Sequence, residues 1–193
     1  MPIQSSATCS TTKYLGVALF SFFLCGLMMA GCAGEKLRSV TPPQFLSVPF
    51  FPTKTDQCGP SALASVLAFW KSPADIEGLK REIYITRLKG TLSMDMLLAA
   101  ESHGLKASVY EGSLDDLRLQ VKKGYPPILF VNLGYDLFPI GHYIVVTGFD
   151  DGRGGVFAHS GSTPNKFISY KQLLRSWNKT DRWTLLAVPS GKS

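Results

Sequence analysis

The chain has 193 residues, 45% of them hydrophobic and 18% charged, with a formal net charge of +6. That length suits one domain with a sizeable core. The basic residues (Lys36, Arg38, Arg81, Arg87, Lys122, Lys123, Arg175 and Arg182 among them) are scattered rather than gathered with aromatic side chains. This pattern reads as a solvated surface and argues against a nucleic-acid groove.

Residues 1–14 are polar with one charge, Lys13, and residues 15–30 (LGVALFSFFLCGLMMA) carry none. A short basic start, an apolar run and the small residues after it describe a secretory signal. The run is short for a permanent span, which needs about 20 apolar residues. Met29-Ala30-Gly31-Cys32 resembles a bacterial lipobox, with Met29 where Leu is usual. The resemblance implies that residues 1–31 are a signal peptide, that Cys32 is acylated, and that residues 32–44 tether a domain spanning 45–189. An uncleaved N-terminal anchor is the alternative, and both readings place the domain outside the cytoplasm. Ala33 after Cys32, rather than Asp, points to the outer membrane or the periplasmic face in a host with two membranes. Loss of Lys13 with the signal leaves 162 residues with 19 basic and 14 acidic side chains, a net of +5. Of the four cysteines, Cys9 and Cys25 leave with the signal and Cys32 carries lipid, so Cys58 stands alone. A lone thiol in an oxidising compartment is either a reactive group or a buried structural residue.

Residues 45–51 (FLSVPFF) read as a first strand and 52–57 as a loop. Residues 61–70 follow with Leu63, Val66, Leu67 and Trp70 at helical spacing, and Pro60 in the first turn fits helix entry. A buried helix therefore begins near Cys58. Further helices are expected over 72–83, over 93–103 with Gly104 as its cap, and over 113–123 with Gly124 as its cap. His103 interacts with the end of its own helix. Strands are expected over 105–110, 127–132 and, most clearly, 142–149 (HYIVVTGF). The turn 150–155 (DDGRGG) then leads into a pairing strand over 156–159. A short helix over 169–177 and a strand over 183–188 complete an α+β domain of helices packed on an antiparallel sheet.

A catalytic cysteine needs surroundings that favour the thiolate, and a helix N-terminus supplies free N–H groups and a positive dipole end. Cys58 occupies such a place, which predicts a thiol pKa well below the free value of about 8.5. A base, usually His, is the other requirement. His142 opens a β-branched strand after Gly141, whose missing side chain allows close backbone approach. No Cys/His cluster has metal-ligand spacing and no Gly-rich loop would cradle phosphate, so neither a metal nor another cofactor is implied.

Gln57-Cys58-Gly59-Pro60-Ser61-Ala62-Leu63 closely resembles the "QCGPAAL"-type block of the papain-like, bacteriocin-processing double-glycine leader peptidases. Val48-Pro49-Phe50-Phe51 is similar to the strand that precedes it in those proteins. Residues 141–150 (GHYIVVTGFD) resemble their "GHYVVVxGYD" block. Together the blocks span most of residues 45–189. The resemblance implies a papain-like fold, Cys58 as nucleophile and His142 as base. It also implies a peptide or protein substrate cut after a small pair such as Gly-Gly, and a secretion or transport system as partner.

Two positions depart from the pattern. Relatives carry an oxyanion-donating Gln about five residues before the Cys, where this chain has Thr53; its hydroxyl, or Gln57, is the candidate substitute. Relatives also orient the catalytic His with an Asp on the next strand, where this chain reads Val156-Phe157-Ala158-His159-Ser160-Gly161. Hairpin pairing is expected to bring residues 159–162 opposite His142, with His159 as the third group. Asp150 and Asp151 lie in the turn, about 25 Å along the strand at roughly 3.3 Å per residue. Two other readings share these residues: a cell-wall amidopeptidase or acyltransferase using the same dyad, and a catalytically silent peptide-binding module.

Overall fold

A computed structural model describes residues 42–53, 56–73 and 75–191. The expected signal peptide, Cys32 and nearly all of the tether lie outside the described residues. Contacts divide the chain after Ser39, and every described residue belongs to the second unit.

Seven strands form one antiparallel sheet: β1 (Gln44–Phe45), β2 (Leu105–Glu111), β3 (Ile128–Asn132), β4 (Gly141–Asp150), β5 (Gly155–Ser160), β6 (Thr163–Ser169) and β7 (Trp183–Pro189). Their order is β2-β7-β3-β4-β5-β6. β1 pairs with the end of β4, Gln44 facing Phe149 and Phe45 facing Gly148, where β3 no longer reaches. The helices are α1 (Cys58–Phe69), α2 (Ile76–Ile83), α3 (Ser93–Ser102), α4 (Leu114–Lys122) and α5 (Tyr170–Trp177), with a 3-10 turn at Asn178–Thr180.

The sheet is covered on both faces. Helices α1 to α3 pack Leu63, Val66, Leu67, Leu79, Ile83 and Met96 against Tyr143, Val145, Leu185 and Ala187. On the opposite face, α4 and α5 bring Leu117, Val121, Leu173 and Trp177 against Leu129, Ile144, Val146 and Val156. Because successive strand residues face opposite ways, β4 is buried on both sides and reads as a nearly continuous apolar run. The α+β papain-like class expected from the sequence is the class observed.

Chain order and element types follow the expectation, with three differences. The first strand is two residues, not seven. Pro49 and Pro52 lack the N–H donors a ladder needs; after the Leu46 N–H bonds Thr147 O the chain turns, with the Val48 N–H on Leu46 O, and residues 46–53 run as irregular chain. Helix α2 starts at Ile76 because the Asp75 side chain accepts from the Glu77 and Gly78 N–H groups and caps it there. Strand β6 was not expected; its polar start (TPNK) and Pro164 suit an exposed edge strand, and Asn165 has a positive φ of 46°. Capping by Gly104 and Gly124 agrees with expectation, at φ of 85° and 83°.

Candidate active site

Helix α1 is apolar on nearly every side and ten of its twelve residues are buried, which fixes it against the sheet and presents its first residue at the start of β4. Cys58 is a buried free thiol. Its Sγ accepts a hydrogen bond from the Tyr143 N–H at 3.4 Å. Residue 142 is joined to that nitrogen as the preceding residue, so its α carbon stands within about 6 Å of the sulfur. Two glycines beside the site make room for other neighbours, Thr91 and Phe130. A Cβ at Gly59 would lie 2.7 Å from Thr91 Cβ, and one at Gly141 would lie 2.6 Å from Phe130 Cζ. Asn132 helps place the start of β4: its Oδ1 accepts from the Gly134 and Ile140 N–H groups and closes the loop that leads into Gly141.

The His142 ring is buried, and its Nε2 lies 3.0 Å from Ser160 Oγ. Ser160, not His159, is therefore the side chain that holds it. The reason is strand alternation. A β-bulge between Val146 and Gly148 shifts the pairing so that His159 faces Val145, and His159 then points to the α1 side of the sheet. Ser160, one residue on, points to the side of Ile144 and His142. The His159 ring is used elsewhere: its Nδ1 accepts from the Asn165 N–H at 3.1 Å and its Nε2 donates to Val48 O at 2.9 Å. Phe50 packs on the same ring with centroids 5.0 Å apart. His159 thus clamps the segment 46–53 at Val48 and Phe50, the segment that delivers Thr53.

Thr53 donates its N–H to Gly161 O at 3.2 Å, and its hydroxyl is buried without a partner. It shares a small cavity with Cys58, and that hydroxyl has an open donor for a ligand oxygen. Gln57 is the N-cap residue of α1, half-buried, and its side chain does not cap the helix. The turn aspartates stay where the sequence puts them. Asp150 Oδ1 accepts from the Arg153 N–H, while Asp151 Oδ1 binds Arg118 Nε at 2.8 Å and Tyr170 OH at 2.6 Å. His103 ends α3 and its Nε2 lies 3.0 Å from Glu82 Oε2 of α2, a tie between helices.

The electrostatics differ from the sequence expectation. Burial pushes the Cys58 thiol above its ordinary 9.0, against the lowering effect of the N–H groups of Tyr143, Cys58 and Gly59; Asp56 adds to the rise. The helix N-terminus acts in the expected direction but burial outweighs it. Burial also lowers His142 below its ordinary 6.5, and the positive charge of Lys166 lowers it further. Burial thus favours the neutral thiol and the neutral imidazole and disfavours a preformed ion pair. Alkylation of Cys58 by iodoacetamide should consequently be slow at pH 6 and climb with pH into the alkaline range beyond the free-thiol midpoint. Fast alkylation at pH 6, followed by mass spectrometry of the Cys58 peptide, would contradict this.

Among the described residues no hydrogen bond joins the Cys58 and His142 side chains, and no group of three His, Cys, Asp or Glu converges as a metal site. Catalytic hydrogen bonds are often long in the absence of substrate and tighten once it binds.

Comparison with known proteins gives this geometry a family. The family described as "Peptidase C39 like" matches residues 45–184. The chain is similar to a double-glycine-motif protease from an AMS/PCAT transporter, solved with its leader peptide: 22% identity, 78% of this chain, 97% of that one, TM-score 0.61. It is also similar to the peptidase domain of Streptococcus ComA, a bifunctional ABC transporter of a quorum-sensing pathway (21%, 76% and 98%, TM-score 0.59). A third similar structure is a C39-like peptidase from Bacillus anthracis (17%, 77% and 98%, TM-score 0.64). No curated protein matches the chain. With both active-site blocks lying inside residues 45–184, the chain belongs to the Peptidase C39 like family and is a cysteine peptidase.

Proposed function

We propose that the protein is a lipid-anchored envelope peptidase that cleaves peptide bonds after small residues of the Gly-Gly type through Cys58 and His142. The observation that carries this reading is the meeting of the α1 N-terminus with the start of β4, Cys58 Sγ on the Tyr143 N–H and the His142 ring on Ser160. Substrate binding brings the carbonyl carbon to Sγ. His142 takes the thiol proton as the C–S bond forms, so thiolate character develops as the pair reacts. The Cys58 N–H and the Thr53 hydroxyl donate to the developing oxyanion. His142 then passes its proton to the leaving amine as the C–N bond breaks, and water hydrolyses the thioester.

Ser160 is the positioning residue in this scheme. With Ser160 accepting from Nε2–H, the lone pair lies on Nδ1, the nitrogen that takes the thiol proton. A neutral hydrogen bond contributes about 1 kcal/mol, so Ser160→Ala should lower kcat/KM about five- to tenfold. Ser160→Asp should keep or raise activity and move the acid limb of the pH profile to higher pH, because a carboxylate stabilises the imidazolium. A loss in Ser160→Ala with the acid limb unmoved in Ser160→Asp would mark a merely structural role. A peptidase assay on a Gly-Gly peptide across pH reads both.

The anchor is proposed on the likeness of Met29-Ala30-Gly31-Cys32 to a lipobox. Cys32→Ser should release the protein into the soluble fraction, and mass spectrometry should find the native N-terminus acylated at Cys32. An unmodified N-terminus elsewhere would overturn it. By its likeness to the transporter-borne domains, a secretion system is proposed to supply the substrate.

A further inference from the structure

On the far side of Ser160 from Cys58 lies a cleft of about 340 Å³ between the β3–β6 part of the sheet and α5. Ser160 is a wall of the cleft and the hydrogen-bond partner of His142 at once, so the cleft opens beside the catalytic base. Three cations line it, Lys166 from β6 and Arg175 and Lys179 from the α5 end, and no acidic residue does. Lys179 is occupied: its Nζ lies 2.9 Å from Gly134 O and 3.2 Å from Asp136 Oδ1. Lys166 and Arg175 are exposed, and among the described residues neither forms an ion pair. Other described lysines and arginines, Lys106 and Lys123 among them, also lack an ion pair; what sets Lys166 and Arg175 apart is that they share one concave wall without an acidic residue, whereas several other cations are neutralised. Arg118 holds Asp115 and Asp151, Lys80 holds Glu77, and Arg182 holds Glu111. Two unpaired cations of one sign in a concave wall concentrate the field and attract anions.

We infer that this cleft is a subsite for carboxylate side chains on the leaving-group side of the substrate, held by Lys166 and Arg175. The side follows from the chemistry. The acyl part of the substrate becomes attached to Cys58, while the departing amine collects its proton from His142. The substrate residues that follow the cut bond therefore run past His142 and Ser160, toward the cleft. Arg175 offers a planar fork for a carboxylate and Lys166 a point charge. The Gln172 side chain at the same wall adds an amide donor. A carboxylate docked at Lys166 would also offset the positive field that Lys166 exerts on the His142 ring.

This inference rests on the peptidase reading, and its test separates the two. Fluorescent peptides sharing a Gly-Gly pair and differing downstream, Asp-Glu against Asn-Gln against Lys-Lys, are titrated into full-length Cys58→Ala protein and are offered to the wild type as substrates. The Asp-Glu peptide should bind about tenfold tighter than Asn-Gln at low salt, with Lys-Lys weakest, and the gap should close with added salt. Lys166→Gln with Arg175→Gln should shrink the gap below about threefold, while thermal unfolding stays unchanged because both side chains are exposed. Equal binding of all three peptides, or a preference that survives the double replacement, would overturn the subsite. Wild-type cleavage of all three at one rate would do the same and leave the peptidase reading standing. Charge-dependent binding without cleavage of any peptide would keep the subsite and remove the peptidase reading. Binding of anionic phospholipid vesicles through the same two residues, with no peptide preference, would assign the cleft to a lipid surface and overturn the proposal.

Discussion

Cys58→Ala and His142→Ala should each lower kcat on a Gly-Gly peptide by about a thousandfold or more, and the double variant should fall no further than the worse single one. A nucleophile and its base act as one unit, so removing either removes the covalent route, and the rate left over is what oxyanion donors and binding supply. The buried setting strengthens this expectation for His142. Burial disfavours the Cys58 thiolate, so without a base close by the sulfur has no acceptor for its proton. The loss should be in kcat rather than KM, because neither side chain is needed to hold the rest of the peptide. Single-turnover rates on folded variants, checked by thermal unfolding, measure it. Additive losses in the double variant would mean that the two residues act independently.

The largest stability effect is expected at Trp177. It is the largest of the fully buried side chains, filling the core between α4, α5 and the sheet. A Cβ at Gly112 would come within 2.8 Å of its ring, so the indole occupies the space that the glycine leaves. Its Nε1 also donates to Trp183 O at 3.0 Å. Trp177→Ala should cost about 3–5 kcal/mol, from lost apolar burial, the cavity left behind and an unpaired carbonyl. That is a large part of the roughly 5–15 kcal/mol a domain of this kind has. Trp177→Phe should recover most of the packing but not the hydrogen bond. Urea unfolding at fixed slope measures both, and a loss below about 1 kcal/mol for the alanine variant would show that the site collapses without cost. Since α5 carries Arg175 and forms a wall of the cleft, the same variant should also weaken binding there.

Much of this was legible in the residue order. Helix α1 announced itself through Leu63, Val66 and Leu67 and through Pro60 in its first turn, and β4 through its β-branched run. These signals are local and strong. What failed was the choice of side chain within the 159–162 stretch expected opposite His142. The choice of His159 over Ser160 turned on a one-residue step, and the bulge between Val146 and Gly148 that sets it leaves no mark in composition. The same holds for residues 46–51, whose apolar character reads as a strand although Pro49 removes a ladder donor. The thiol's elevated pKa was out of reach for another reason: the helix terminus is visible in sequence, but the burial that outweighs it is set by tertiary packing. Lys166 and Arg175 come from different elements that only the folded sheet brings to one wall.

Hydrolysis through Cys58 requires that its sulfur carry the acyl half of the substrate during turnover. A Gly-Gly p-nitrophenyl ester mixed with excess protein, quenched in acid after milliseconds and digested for mass spectrometry, tests it directly. A mass gain equal to the acyl half of the substrate is expected on the peptide containing Cys58, appearing with the release of p-nitrophenol and absent from Cys58→Ala. Product formation by the wild type with no adduct on Cys58, or with the adduct on another residue, would contradict it.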